Sequence, residues 1–345
     1  MGKMHNRGSY AVSEVVGYIL IIVIIATTIS FVSFWYVPHV EKIEAETQVN
    51  GLSEQFKYFA DAVDNLISQG VNASTVIPLS FNEGNLYVES IKNAGSSRII
   101  GERIVLYYSL VDDPNYDFNV SGLDDSDENF AIDFDLPLTT TVRAQIYNLF
   151  GSGYEDDSCT LPAGFDFGSA SISGAYKINL FDEDNSSRLF GRIWVFDTGS
   201  FIYELNTGMG TYHVSLENGA VLNGYPTSSI VDRKPVVFYE NNNLVLYMLQ
   251  INTTNDVGVG GTAGGDIDIH ATLTNNTILE DRNISYNFKM QFFNDNFESD
   301  TDAWKVFYQI YHGFVDSGPD DIKFDNTGSL KFTLVRSICD VRLEV

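Results

Sequence analysis

Residues 15–37 read VVGYILIIVIIATTISFVSFWYV, a run without a single charged side chain. A helix rises about 1.5 Å per residue, so this run is long enough to cross the roughly 30 Å hydrocarbon layer of a bilayer. Lipid offers no partner to backbone N–H and C=O groups, so the run is read as a helix despite its many β-branched residues. A core helix of a soluble domain keeps one polar face, and none exists here.

The flanks assign a direction. Upstream, Lys3 and Arg7 are the only charges before Glu14; downstream come Glu41, Lys42, Glu44 and Glu46. The positive-inside rule keeps the N-terminus cytoplasmic and sends everything after residue 40 outside. The apolar core is longer than that of a secretory signal, which also carries its small residues after the core. Here Gly8, Ser9 and Ala11 precede it, and Glu14 stands at its entrance.

The residues Arg7-Gly8-Ser9-Tyr10-Ala11, then Val12-Ser13-Glu14-Val15-Val16-Gly17, then the apolar tract 18–26 resemble the N-terminus of archaeal type IV pilins and archaellins. The resemblance covers residues 7–37 and is loose beyond. It implies that a prepilin peptidase cuts within Gly8, Ser9, Tyr10, Ala11 and Val12, after either Ala11 or Ser9. It further implies that the apolar segment stays on the mature subunit and packs with copies of itself as a filament core. Physical chemistry supplies a role for Glu14. A carboxylate among helices in lipid is expensive unless paired, and a newly cut N-terminus offers a neighbouring amine. The plainer reading makes Glu14 an acid favoured by the helix dipole.

Beyond Pro38, apolar residues recur at helical spacing: Val40, Ile43, then Leu52, Phe56, Phe59, Val63, Leu66 and Ile67. The chain therefore divides into a leader (1–11), a long helix (12–70; hydrophobic over 15–37, amphipathic over 39–69) and a head (71–345). Pro38 predicts a kink, Asn50-Gly51 a second weak point and Gly70 a C-terminal cap. With 20 Lys+Arg against 46 Asp+Glu the net charge is −26, which opposes contact with nucleic acid.

After residue 72 the helical period gives way to short β-rich runs such as IVLYYSL (104–110), RIWVF (192–196) and LVLYMLQI (244–251). The expected fold is α+β: a long N-terminal helix followed by an antiparallel β-sandwich head with one short helix. That helix is expected over 300–312, with Ser299 or Thr301 as its N-cap. Glu217-Asn218-Gly219-Ala220 predicts a tight hairpin.

Six N-x-S/T sequons lie in the head, at Asn72, Asn119, Asn185, Asn252, Asn275 and Asn283, and with external topology they predict surface glycans. Cys159 and Cys339 are candidates for a disulfide in such a compartment. No Cys or His spacing suggests zinc. Val195-Phe196-Asp197-Thr198-Gly199-Ser200 has the form of an aspartic-protease motif, and Asp316-Ser317-Gly318 of a second half. The two neighbourhoods differ, however, and D-T-G-S is good turn chemistry. Gly258-x-Gly260-x-x-Ala263 is followed by an alternating strand, not the helix a dinucleotide site needs. Calcium is the one cofactor the acidic loops suggest, with Asp124, Asp125 and Asp127 as its weak candidates and solvated loops as the default.

These features point to a structural subunit and not an enzyme. It begins as a single-pass membrane protein, then enters an extracellular adhesive filament through residues 12–69, its acidic head outside. The competing reading is a membrane-tethered carbohydrate- or ligand-binding protein that does not polymerise.

Overall fold

The computed structural model describes residues 8–91, 101–111, 116–121, 131–135, 141–150, 154–160, 165–166, 175–253, 259–260, 265–284, 286–294, 297–312, 314–316, 321–324 and 329–344. A helix runs without a break from Gly8 to Gln69, as α1 (Gly8–Phe31), a π-helical turn (Val32–Tyr36) and α2 (Val37–Gln69). The irregularity predicted at Pro38 takes the form of that π turn. Pro38 has no N–H to give the carbonyl one turn back, and the backbone widens so that the Val37 N–H bonds to the Val32 carbonyl. Asn50-Gly51 does not interrupt α2. Gly70, at φ +100°, closes the helix with its N–H on the Leu66 carbonyl at 3.0 Å.

The head is β-rich, so the chain is α+β as the sequence predicts. Its first core lies under α2. Ala45, Val49, Leu52, Phe56, Phe59, Val63 and Leu66 recur every three or four residues and form the buried face. They pack on two sheets. One has five strands, in the order Ser74–Phe81, Gly265–Ile284, Leu330–Glu344, Asn243–Asn252, Val237–Glu240. The other has six, in the order Ser228–Arg233, Ala220–Tyr225, Gly210–Glu217, Ser200–Thr207, Asn85–Glu89, Val259–Gly260. The cover starts later than the spacing predicts: Ile43 is 49% exposed, and Ala45 is the first buried position.

A second core lies between the five-stranded sheet and an eight-stranded one that includes Tyr286–Asn294, Glu102–Ser109, Arg188–Asp197, Ala175–Asp182 and Thr141–Asn148. Helix α3 (Glu298–His312) closes it with Trp304, Phe307 and Tyr308. The far face of the eight-stranded sheet builds a third core with Phe118, Val120 and Ile132 of a three-stranded sheet. This layering explains why IVLYY and RIWVF do not alternate. Ile104, Leu106, Tyr108, Trp194 and Phe196 enter the second core, while Val105, Tyr107, Ile193 and Val195 enter the third.

Two details complete the connections. Asn218 (φ +46°) and Gly219 (φ +76°) form the predicted hairpin turn, with Glu217 paired to Ala220. Among the described residues the sheet pairings are antiparallel except for Asn243–Asn252 beside Leu330–Glu344, which run parallel in register from Asn243↔Lys331 to Asn252↔Asp340. At α3 the expected cap is not used. Ser299 Oγ bonds instead to Ser229 Oγ at 2.7 Å, and Asn294 Oδ1 accepts the Phe297 N–H at 2.9 Å just ahead of the helix.

Candidate functional site

The most unusual surface is the helix before Ala45. The apolar run is long enough to span a membrane and has no residue buried against the head. Tyr18, Ile22, Phe31 and Trp35 are all about 60% exposed or more, and Phe34 reaches 85%. Its hydroxyls are satisfied within the helix: Thr27 Oγ1 donates to the Val23 carbonyl at 2.9 Å, and Thr28 Oγ1 to the Ile24 carbonyl at 2.8 Å. Such internal bonding suits an apolar surrounding. Phe31, Trp35 and His39 stack successively, with centroids 5.4 and 5.9 Å apart, across the π turn. Exposed positions continue past residue 37, at His39 and Ile43.

Gly8, Ser9, Tyr10, Ala11 and Val12 all lie in the opening turns of α1, and Glu14 follows within it. The side chains of these residues lie outside the described ones.

Asp197-Thr198-Gly199-Ser200 is the predicted turn, but a buried one. Arg103 Nε and Nη2 donate to the two Asp197 carboxylate oxygens at 2.7 and 3.1 Å, both residues being buried. Thr198 Oγ1 accepts the Glu102 N–H at 3.1 Å, and Gln250 Nε2 donates to the Asp197 carbonyl at 2.6 Å. Gly199, at φ +62°, has the Ile251 carbonyl oxygen 2.2 Å from where a Cβ would stand, so no other residue fits. This aspartate holds an arginine. Asp316 ends the short strand Phe314–Asp316, while Ser317 and Gly318 lie outside the described residues.

Sequence reasoning missed a buried acidic group. Glu102, Glu217 and Asp300 are fully buried, and His213 Nε2 meets both Asp300 oxygens at 3.0 and 3.1 Å. The His213 ring stacks on Phe297 at 3.6 Å and fills the space over Gly224, where a Cβ would fall 1.8 Å from the ring. Burial pushes the Glu102 carboxyl well above the ordinary range, with Glu217 and Asp300 adding to the effect. Burial does the same to Glu217, with Asp300 and Glu89 next. The one sequence signal was position: Glu102 immediately precedes a run buried on both faces.

The other expected sites divide. Asn72, Asn119, Asn185 and Asn283 are exposed and Asn275 half-buried, but Asn252 is fully buried. Its Oδ1 accepts from Ser90 Oγ at 2.8 Å and its Nδ2 donates to Asp340, so in the folded chain that sequon has no access to a glycan. Cys339 is a free thiol buried within the first core, and burial pushes its pKa up to about 12. Cys159 sits opposite Val142 in the eight-stranded sheet, its side chain outside the described residues. Asp124, Asp125 and Asp127 also lie outside them. Asp182 and Asp184 tie their turn to neighbouring segments, accepting from the Tyr116 hydroxyl and from the Thr141 N–H, both at 2.7 Å. Among the described residues, no three His, Cys, Asp or Glu side chains are placed to hold a metal ion.

A family model described as a family of unknown function (DUF7289) matches residues 10–108, under a third of the chain. That segment is similar to the family over the helix and the first strands of the head. No curated protein and no solved structure matches the chain.

Proposed function

We propose that the chain is a structural subunit of an extracellular type IV pilus-like filament. In this reading the helix anchors the precursor in the membrane and, after removal of a short leader, packs with other copies as the filament core. The head covers the outside and serves adhesion. The observation that carries the reading is the division of one continuous helix. Residues from Ala45 on are pinned to the head, and the apolar run before them has no residue buried against the described residues of its own chain. Such a surface needs either lipid or other helices, and a filament supplies the second as the first is left. Glu14, set at the apolar entrance, would pair with a neighbour's new N-terminal amine.

Expression in a host with a prepilin peptidase, followed by mass spectrometry of the mature N-terminus and electron microscopy of sheared surface material, tests this. Filaments whose subunits begin between residues 9 and 12 are expected. An uncut chain that stays membrane-bound without filaments would make the protein a tethered receptor instead.

A further inference from the structure

Two of the head's turns reach the helix near its apolar run, at unequal heights. The lower one joins the strands Ser200–Thr207 and Gly210–Glu217. A Cβ on its Gly208 would stand 3.6 Å from Glu41 Oε2. Glu41 is the first charged residue after the run, four residues or about 6 Å beyond Val37. Helical side chains lean towards the N-terminus, so this contact lies nearer the run than the Glu41 backbone does. The other turn joins Ser74–Phe81 to Asn85–Glu89. It meets the helix where the Glu83 carbonyl accepts from Gln48 Nε2 at 2.9 Å, seven residues or about 10 Å further from the run.

The lower turn suits a surrounding of low polarity. Residues 205–212 read LNTGMGTY, without a charge, in a chain of net charge −26. Polar groups bond within the turn: the Met209 N–H donates to Thr207 Oγ1 at 3.1 Å, and Thr207 Oγ1 donates to the Gly210 carbonyl at 2.9 Å. Gly210, at φ +128°, has Pro226 Cβ 2.8 Å from where its own Cβ would stand, so the turn is packed against the head. Met209 is left 46% exposed at the tip. A cavity of about 440 Å³ beside it is lined by Lys42, Tyr212 and Tyr225. Tyrosine and lysine are residue types that settle at a membrane–water interface.

We infer that the Thr207–Gly210 turn is the foot of the head on the membrane, with Met209 entering the lipid headgroup layer while the apolar run anchors the chain. That layer extends roughly 5–7 Å beyond the hydrocarbon on each side, which takes in the height of the Gly208–Glu41 contact and falls short of Glu83. Apolar insertion drives the contact. Charge does not, because Glu41, Glu44 and Glu46 outnumber Lys42 on the adjoining helix and repel anionic lipid. The inference rests on the membrane-anchor part of the proposed function and not on polymerisation.

The test places the full-length chain in phosphatidylcholine nanodiscs, on a Cys159→Ser background, with a thiol-reactive fluorophore carried by Met209→Cys, Asn82→Cys, Val71→Cys or Ile22→Cys. Cys339 is buried and takes no label. Lipid spin-labelled on its headgroup serves as the quencher. The label at 209 should lose most of its fluorescence. The label at 82, on the higher turn, should lose little, and the one at 71, beyond the far end of α2, none. Lipid spin-labelled on its acyl chain should quench the label at 22, which checks the anchor by itself. Quenching at 22 without quenching at 209, or equal quenching at 209 and 82, would overturn the inference and leave the anchor standing. No quenching at 22 would remove the anchor and the inference with it.

Discussion

Phe56 of α2 stacks on Phe201 of the Ser200–Thr207 strand, ring centroids 4.7 Å apart and planes 16° from parallel, while Phe59 meets the same ring edge-on at 5.3 Å. This triplet is the apolar peg that joins the helix to the head. Polar contacts surround it. Ser53 Oγ donates to Asp232 at 2.6 Å, and Lys57 pairs with Asp232 at 2.7 Å. Gln55 exchanges two hydrogen bonds with the Ser80 backbone. The helix is therefore part of the head's core from Ala45 on, whereas its apolar run 15–37 has no residue buried against the described head.

Phe56→Ala should destabilise the head by about 3–5 kcal/mol, the usual cost of emptying a buried aromatic site. Phe34→Ala, at the most exposed aromatic position, should leave it within about 0.5 kcal/mol of wild type. Chemical denaturation in detergent, followed by tryptophan fluorescence, compares them. Equal losses would mean that the helix before Ala45 has a partner within its own chain.

Asp197→Ala should destabilise by about 3–5 kcal/mol, because it removes a buried carboxylate that takes two hydrogen bonds from the buried Arg103 guanidinium. The same variant should change no hydrolytic activity. A loss of peptide hydrolysis in a correctly folded Asp197→Asn protein would return the D-T-G-S turn to chemistry.

Stability should fall as pH rises, through Glu102 and Glu217. Both carboxyls are raised in the folded state, so folding retains protons that the unfolded chain releases above its ordinary value of 4.5. The contribution is complete below that value and is lost as pH climbs towards the folded ones. Glu217→Gln should then match wild type near pH 4 and exceed it near pH 7. The gain is about 1.4 kcal/mol for every tenfold by which folding raises the proton affinity of Glu217. Melting temperatures across that range decide. A variant less stable at both ends would show that Glu217 is held ionised.

Glu14→Ala should leave membrane insertion and head stability intact and lower filament yield severalfold. The acid lies in the opening turns of α1, far along the helix from Ala45, the first buried position. Normal filaments from this variant would leave only the helix-dipole role.

Removal of residues 1–38 should give a soluble monomer with a β-rich circular dichroism spectrum. The whole buried face from Ala45 to Leu66 remains, and the acidic surface keeps the net charge far from zero. A stable oligomer in light scattering would place the assembly surface on the head.

The local patterns were legible because their causes are local. An uncharged run of bilayer length, a three-four apolar spacing from Leu52 to Leu66, an Asn-Gly pair at two positive φ positions and a glycine cap each need only neighbouring residues. What the tertiary structure decided depended on partners far along the chain. Whether IVLYY was covered on one face or two required the second and third cores. The parallel pairing of Asn243–Asn252 with Leu330–Glu344 joins strands about ninety residues apart. Asn252 reads as a surface sequon until Ser90 and Asp340 enclose it, and Asp197 as a loop acid until Arg103 arrives. A polar side chain carries no sign of its own burial, because the free energy that permits burial belongs to the partner that satisfies it.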